Sequence, residues 1–231
     1  MNAFILKIIA IITMFIDHLG YAVFKGKASY FNYIGRLSFP IFAFQVSEGY
    51  IHTHNVKKYL SRLLIFAIIS QIPFMLFHSI INEEFSLNVI FTLLLGLITI
   101  IAYDKLHIAI SLPVAIIIGI IAQVLKCDYG FYGVAIIFLF YICRKNKVLL
   151  ASSFILATIC NYAYYVLLYW ENGLDIVKKA FDYYLPYAIC TIFAIVPIIL
   201  YNKKKGPNTK YLLYLFYPLH LLVIYAISLI Y

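Results

Sequence analysis

Asp17 and His18 sit side by side in IIAIITMFIDHLGYAVF, residues 8 to 24, a run otherwise apolar enough to cross a membrane. An ionisable side chain in hydrocarbon costs at least ~2.5 kcal/mol on insertion scales, so such residues normally face a partner, a cavity or a substrate path. Imidazole, with an unperturbed pKa of about 6.5, is the side chain best suited to take a proton from an attacking amine or hydroxyl near neutrality. Lys7 precedes His18 by eleven residues, which on a helix puts both on one face about 16 Å apart. Asp17 points about 100° away from His18 and must meet another helix. Structural pairing and catalysis are equally open for it.

A second group of charges lies in GRLSFPIFAFQVSEGYIHTHNVKKYLSRLL, residues 35 to 64. Arg36 and Glu48 bracket an apolar span that also holds Gln45 and Ser47, and Lys57, Lys58 and Arg62 follow. Guanidinium and ammonium groups at a helix start can hold the phosphates of an anionic cofactor; for Lys57 and Lys58 the alternative is interfacial snorkelling. Glu48, left bare, would repel such phosphates, so it is expected to pair with a cation from a neighbouring helix, Lys7 or Arg62. The third group is YLFYPLHLLVIY, residues 214 to 225, where Pro218 frees a carbonyl and His220 is expected to face a polar interior. An interhelical hydrogen bond and a site role both fit His220. Asn88 with Thr92, and DYGFYGV at 128 to 134, read as packing or close-approach features. Cys127, Cys143, Cys160 and Cys190 have neither zinc-ligand nor disulfide-framework spacing, and no metal site is evident.

The elements that must position these residues follow from composition. The chain is 65% hydrophobic and 12% charged, with a mean hydropathy of +0.96, whereas soluble domains carry about 25% charged residues. Apolar runs broken by charge, Gly and Asn predict helices near 4–24, 37–53, 59–79, 87–103, 107–125, 130–143, 148–169, 185–201 and 211–231. The expected fold is all-α, one polytopic transmembrane bundle of about nine helices over 1–231, with 37–53 and 130–143 short enough to be tilted or re-entrant. Barrel strands are excluded because they would alternate apolar and polar residues. The first run has no basic leader or small-residue cleavage site and reads as a retained helix.

Basic residues set the expected orientation. Lys57, Lys58, Arg62, Lys105, Arg144, Lys145, Lys147, Lys203, Lys204, Lys205 and Lys210 fall on the side of the N-terminus. Lys25, Lys27, Arg36, Lys126, Lys178 and Lys179 fall on the other, with Glu83, Glu84, Glu171, Asp175 and Asp182. The excess predicts a cytoplasmic N-terminus and a multi-pass protein of the cytoplasmic, or inner, membrane. The net charge of +9 is then topology signal and attraction to the lipid surface. It does not point to nucleic acid, because the cations are scattered over short loops.

IDHLG, IGRLSFPIFAFQVSEGY, KKYLSRLLIFAIISQIPF, LNVIFTLLLGL, DYGFYGV and YLFYPLHLL occur in the order and spacing of the TraX family. The chain resembles those membrane proteins, which are linked to N-terminal acetylation of conjugative F-pilin. More distantly it is similar to membrane acyltransferase family 3, whose first helix carries a basic residue eleven positions before a functional His, as Lys7 and His18 do here. The resemblance implies acetyl transfer from acetyl-CoA to an extracytoplasmic amine or hydroxyl, on a pilin-like peptide N-terminus or a cell-surface sugar. It implies His18 as general base and Asp17, Arg36 and His220 in the catalytic group, with Arg36, His220 or Tyr217 as oxyanion donors. Lys7, Lys57, Lys58 and Arg62 would hold the CoA phosphates. A small-molecule transporter or flippase would also explain intramembrane charges, although no internal repeat supports one, and a non-enzymatic envelope scaffold would need no cofactor.

Overall fold

In hydrocarbon no water is present to satisfy backbone N–H and C=O groups, so an apolar run must satisfy them within its own segment and becomes a helix. The computed structural model describes residues 1–24, 30–81, 84–207 and 211–229. Lys25, Lys27, Glu83, Lys210 and the last two positions of the ninth expected helix lie outside the described residues. In chain order the helices are α1 (Ala3–Val23), α2 (Tyr30–Gly35), α3 (Ser38–Ile51), α4 (Val56–Ile80), α5 (Val89–Lys105) and α6 (Ile108–Val124), followed by α7 (Gly130–Ile142), α8 (Lys147–Leu167), α9 (Leu174–Phe193), α10 (Ile195–Ile199) and α11 (Leu212–Ser228). A 3-10 turn, Trp170–Asn172, joins α8 to α9. Among the described residues nine of these helices are long, and the molecule is a helical membrane bundle. Four stretches are long and apolar enough to cross a membrane: Ala3–Val23, Val56–Ile80, Lys147–Asn172 and Leu174–Ile199.

Two elements differ from the sequence expectation. The helix expected from 185 begins at Leu174, because Lys178, Lys179 and Asp182, which mark a loop in a hydropathy profile, lie on its exposed side. It then breaks at Ala194 into the short α10. The second is α2, six residues that no apolar run announces. It packs along the end of α1 and delivers Arg36 to it.

Contacts between sequence-distant residues fix the antiparallel arrangement. At the amino-terminal end, Gln45 of α3 donates to the Ala3 carbonyl at 3.3 Å, and the Tyr50 and Tyr141 hydroxyls donate to Asp104 at 2.9 and 2.6 Å. There the start of α1 also pairs with the segment after α10, through Ala3 N–H to the Lys204 carbonyl and Asn202 N–H to the Met1 carbonyl, both 2.8 Å. At the opposite end an isolated bridge joins Leu87 to Cys127. Outside it, Lys126 donates to Glu84 at 2.8 Å, which holds that carboxyl below its usual range. The short helices α3 and α7, 14 and 13 residues long, pack on each other in the middle of the bundle, where Phe39, Ile41, Ile136, Ile137 and Phe140 are fully buried.

Asn88 holds the turn between α4 and α5. Its Oδ1 caps α5 by accepting from Ile90 N–H at 3.0 Å, while its Nδ2 donates to the Ala67 carbonyl at 2.8 Å and to Gln71 Oε1 at 2.9 Å. Asn88→Ala is expected to remove a cap and strand a buried carbonyl, at a cost of about 1–3 kcal/mol. The measurement is the thermal unfolding midpoint of purified protein in detergent; an unchanged midpoint would contradict this role.

Candidate functional site

Gly35 lets α2 lie against α1 closely enough for Asp17 to be met. A Cβ at that position would collide with the Asp17 carboxylate. Arg36, the next residue, uses Nη2 to donate to both Asp17 oxygens, at 2.9 and 2.8 Å. Its Nε donates to the Asn32 carbonyl at 3.2 Å. Asn32, one turn earlier and wholly buried, donates to Asp17 Oδ1 and to the Asp17 carbonyl, both at 3.1 Å. Asp17 therefore finds its partner on another helix, and most of Arg36's hydrogen-bonding capacity is committed to holding α2 on α1.

One residue on, His18 meets His220 of α11. His220 Nδ1 lies 2.8 Å from the Phe216 carbonyl oxygen, which can only accept, so Nδ1 carries the proton and Nε2 the lone pair. His220 Nε2 then accepts from His18 Nδ1–H at 3.1 Å, and the same N–H donates to the Met14 carbonyl at 2.9 Å. Fixing the proton on Nδ1 leaves His18 Nε2 with its lone pair, the arrangement required of a base. In this tautomer His220 has no N–H left to donate to an oxyanion, and its Nε2 is taken up by His18 Nδ1–H. Phe77 stands edge-on to the His18 ring at 5.0 Å, and Phe216 stacks on His220 at 4.7 Å.

The amino-terminal end of the bundle contains a cavity of about 620 Å³. Lys7, Glu48, His52, Arg62, Lys203 and Lys205 line it, and Tyr59, Tyr201 and Tyr214 contribute aromatic walls. Lys57 and Lys58 do not line it. The inward stripe of α4 runs through Leu63, Ala67, Ser70, Phe74 and Phe77, and residues five and six positions before Leu63 fall off that stripe, so both lysines are exposed. Lys203 and Lys205 occupy the rim instead, brought there by the pairing of their segment with the start of α1. Their sequence signal was a lysine run indistinguishable from topology charge. The Arg62 guanidinium lies over the Tyr59 ring at 5.7 Å, and its buried Nε has no hydrogen bond among the described residues.

Glu48 departs from its expected partners Lys7 and Arg62. Its nearest cationic-type partner is the His52 ring, one turn along the same helix, with Nε2 3.6 Å from the carboxylate. The Tyr201 hydroxyl is nearby; burial first, then the Glu48 charge, push that hydroxyl up to about 12, so it stays protonated. His18 is not among the residues lining this cavity. Sequence reasoning also missed Asn32, whose one discoverable signal was its spacing of four residues from Arg36. Among the described residues no three His, Cys, Asp or Glu side chains converge as metal ligands.

Comparison with known proteins decides the family. The family described as "TraX protein" matches residues 3–228. The chain belongs to the TraX family. It is also 30% identical over 241 aligned positions to "Probable fimbrial assembly protein FimC, serogroup H1" of Dichelobacter nodosus, covering 95% of this chain and 93% of that protein. No solved structure matches significantly. The TraX match thus spans both the Asp17–Arg36 and the His18–His220 pairs.

Removing one member of a buried ion pair strands the other, at about 3–5 kcal/mol. Asp17→Asn and Arg36→Gln are each expected to lower detergent thermostability markedly, and the double substitution to cost less than the sum of the two. A double-mutant cycle with zero coupling would contradict the pairing.

Proposed function

We propose that this TraX protein is a membrane-embedded acetyltransferase moving acetyl from cytoplasmic acetyl-CoA to an extracytoplasmic amine or hydroxyl. The observation that carries this is the imidazole pair inside the bundle, which leaves His18 Nε2 as a free base in a segment where an idle ionisable group is costly. The acceptor nitrogen or oxygen attacks the thioester carbonyl carbon while His18 Nε2 takes its proton. The tetrahedral intermediate then breaks its C–S bond, and the proton passes to the departing CoA sulfur. Neutral imidazole suits both transfers.

Acetyl-CoA binds from the amino-terminal end, with Lys7, Arg62, Lys203 and Lys205 on its phosphates. A guanidinium is suited to forked recognition of phosphate oxygens, and Glu48, the one carboxylate among the described lining residues, lies 3.6 Å from His52. His18 lies about 16 Å further along α1 than Lys7, so the extended pantetheine arm carries the thioester from the cavity to the base. The N-terminus is cytoplasmic in this account, the helices pass repeatedly through the cytoplasmic membrane, and the acceptor arrives from the opposite end. The relative's name as a fimbrial assembly protein favours a pilin-like peptide N-terminus over a cell-surface sugar.

The test is transfer of labelled acetyl from acetyl-CoA by purified protein. His18→Ala is expected to lower turnover ~100-fold to 10,000-fold, the usual contribution of a general base, with folding and CoA binding retained. Turnover within a factor of three of the unmodified protein would remove His18 from the mechanism. Arg62→Ala is expected to weaken acetyl-CoA binding by about 1.5–3 kcal/mol, with Lys57→Ala and Lys58→Ala nearly silent. Calorimetry showing unchanged affinity for Arg62→Ala would move the phosphate site elsewhere.

A further inference from the structure

The segment that follows α10 is fastened along the start of α1, and every second residue of it does the fastening. Asn202 N–H donates to the Met1 carbonyl, and Ala3 N–H donates to the Lys204 carbonyl, both at 2.8 Å. Asn202 Oδ1 accepts in turn from Lys204 N–H at 3.1 Å. Between them Lys203 has a φ of 61°, a backbone that a lysine keeps only where its surroundings impose it. Gly206, at a φ of 71°, lets the segment close on α1, since a Cβ there would lie 2.9 Å from the Asn2 side chain and from Phe4 Cβ. The alternate residues Tyr201, Lys203, Lys205 and Pro207 line the amino-terminal cavity of about 620 Å³, and Asn202 and Lys204 do not.

This pairing sets the two lysines at a definite level. Ala3 stands fifteen residues before His18 on α1 and Lys7 eleven. At 1.5 Å per residue, the paired segment crosses α1 about 22 Å from His18, and Lys7 lies about 16 Å from it. The cavity's cations therefore occupy two tiers about 6 Å apart along α1, with Lys7 in the inner tier and Lys203 with Lys205 in the outer. A CoA thioester presents its anions in the same order. Between its sulfur and its diphosphate runs the pantetheine arm, an amide chain whose extended reach is about 15 Å by the dimensions of a backbone with as many bonds. The ribose 3′-phosphate follows, one sugar ring further out.

We propose that Lys203 and Lys205 form the subsite for the ribose 3′-phosphate of the acyl donor, with the diphosphate held below them by Lys7 and Arg62. This rests on the acetyl-transfer reading. It narrows the class of donor. A thioester on a pantetheine arm that ends in a single phosphodiester on a carrier protein has no anion for the outer tier, whereas free acetyl-CoA fills both. The segment 201–207 carries no acidic residue, so the outer tier is uniformly cationic and suits a doubly charged phosphate monoester.

The test measures transfer of labelled acetyl by full-length protein from acetyl-CoA and from acetyl-dephospho-CoA, which lacks only the 3′-phosphate. The acceptor is an Ala/Ser hexapeptide with a free amino terminus or glucosamine, whichever is acetylated. The unmodified protein is expected to show a donor KM about tenfold lower for acetyl-CoA. The double substitution Lys203→Ala with Lys205→Ala is expected to raise the acetyl-CoA KM about tenfold, a few-fold for each exposed lysine. It is expected to leave the acetyl-dephospho-CoA KM within twofold, so that the preference disappears. Lys204→Ala, whose side chain does not line the cavity, is expected to keep the preference, and the unfolding midpoint in detergent stays level across the set. Equal KM values for the two donors in the unmodified protein would overturn the subsite. So would a preference that survives the double substitution, or a double variant that weakens both donors alike. If the unmodified protein transfers acetyl from neither donor, the transferase reading has failed instead. Calorimetry with CoA and dephospho-CoA then decides the subsite: a preference for CoA that the double variant loses supports it, and equal binding of the two overturns it.

Discussion

The Asp17–Arg36–Asn32 knot is the interaction on which the rest of the arrangement depends. A carboxylate in the middle of a spanning run has no water to solvate it, and its mutual attraction with a cation offsets that cost only when geometry is good and remaining lone pairs are bonded. Both conditions are met: the guanidinium reaches both oxygens and Asn32 adds a third donor. Because Asp17 precedes His18 directly, the knot that fastens α2 to α1 also fixes the rotation of α1 about its axis. That rotation turns His18 toward His220 on α11.

From that fixed helix two polar regions diverge. Toward the amino terminus, α1 presents Lys7 to a cavity rimmed by cations; toward the other end it carries the Asp17–Arg36 pair. His18 lies between them along the same helix. In the proposed reaction a donor and an acceptor approach from opposite faces and meet at one imidazole, and the short α3 and α7 lie at the centre of the bundle. In this account catalysis relies on placement and on one proton transfer.

Much of this was legible in the sequence, for identifiable reasons. Hydrocarbon forces apolar runs into helices, so nine long helices could be read from hydropathy, eight of them with boundaries off by a few residues and the one expected from 185 beginning eleven residues earlier at Leu174, and Asp17's need for an interhelical partner followed from cost alone. The partner's identity did not, because Arg36 and Asp17 belong to separate elements and only the six-residue α2 brings them together. Lys57 and Lys58 looked equivalent to Lys203 and Lys205 as basic runs; which pair reaches the cavity is decided by the inward stripe of α4 and by backbone pairing after α10. Glu48 seemed to need a distant cation, yet His52 was one turn away on its own helix. DYGFYGV marked a close approach of the chain, but the left-handed backbone at Tyr129, with φ of 64°, was not legible in it, since tyrosine is among the residues least expected there.

The most direct measurement of the central claim uses the protein reconstituted into sealed vesicles in one known orientation. Labelled acetyl-CoA is supplied only on the side of the amino terminus, and a membrane-impermeant amine acceptor only on the other. The account predicts acetylated acceptor on the far side, labelled CoA confined to the near side, and loss of product with His18→Ala. Acetylation only when donor and acceptor share one side, or far-side product that survives His18→Ala, would contradict it.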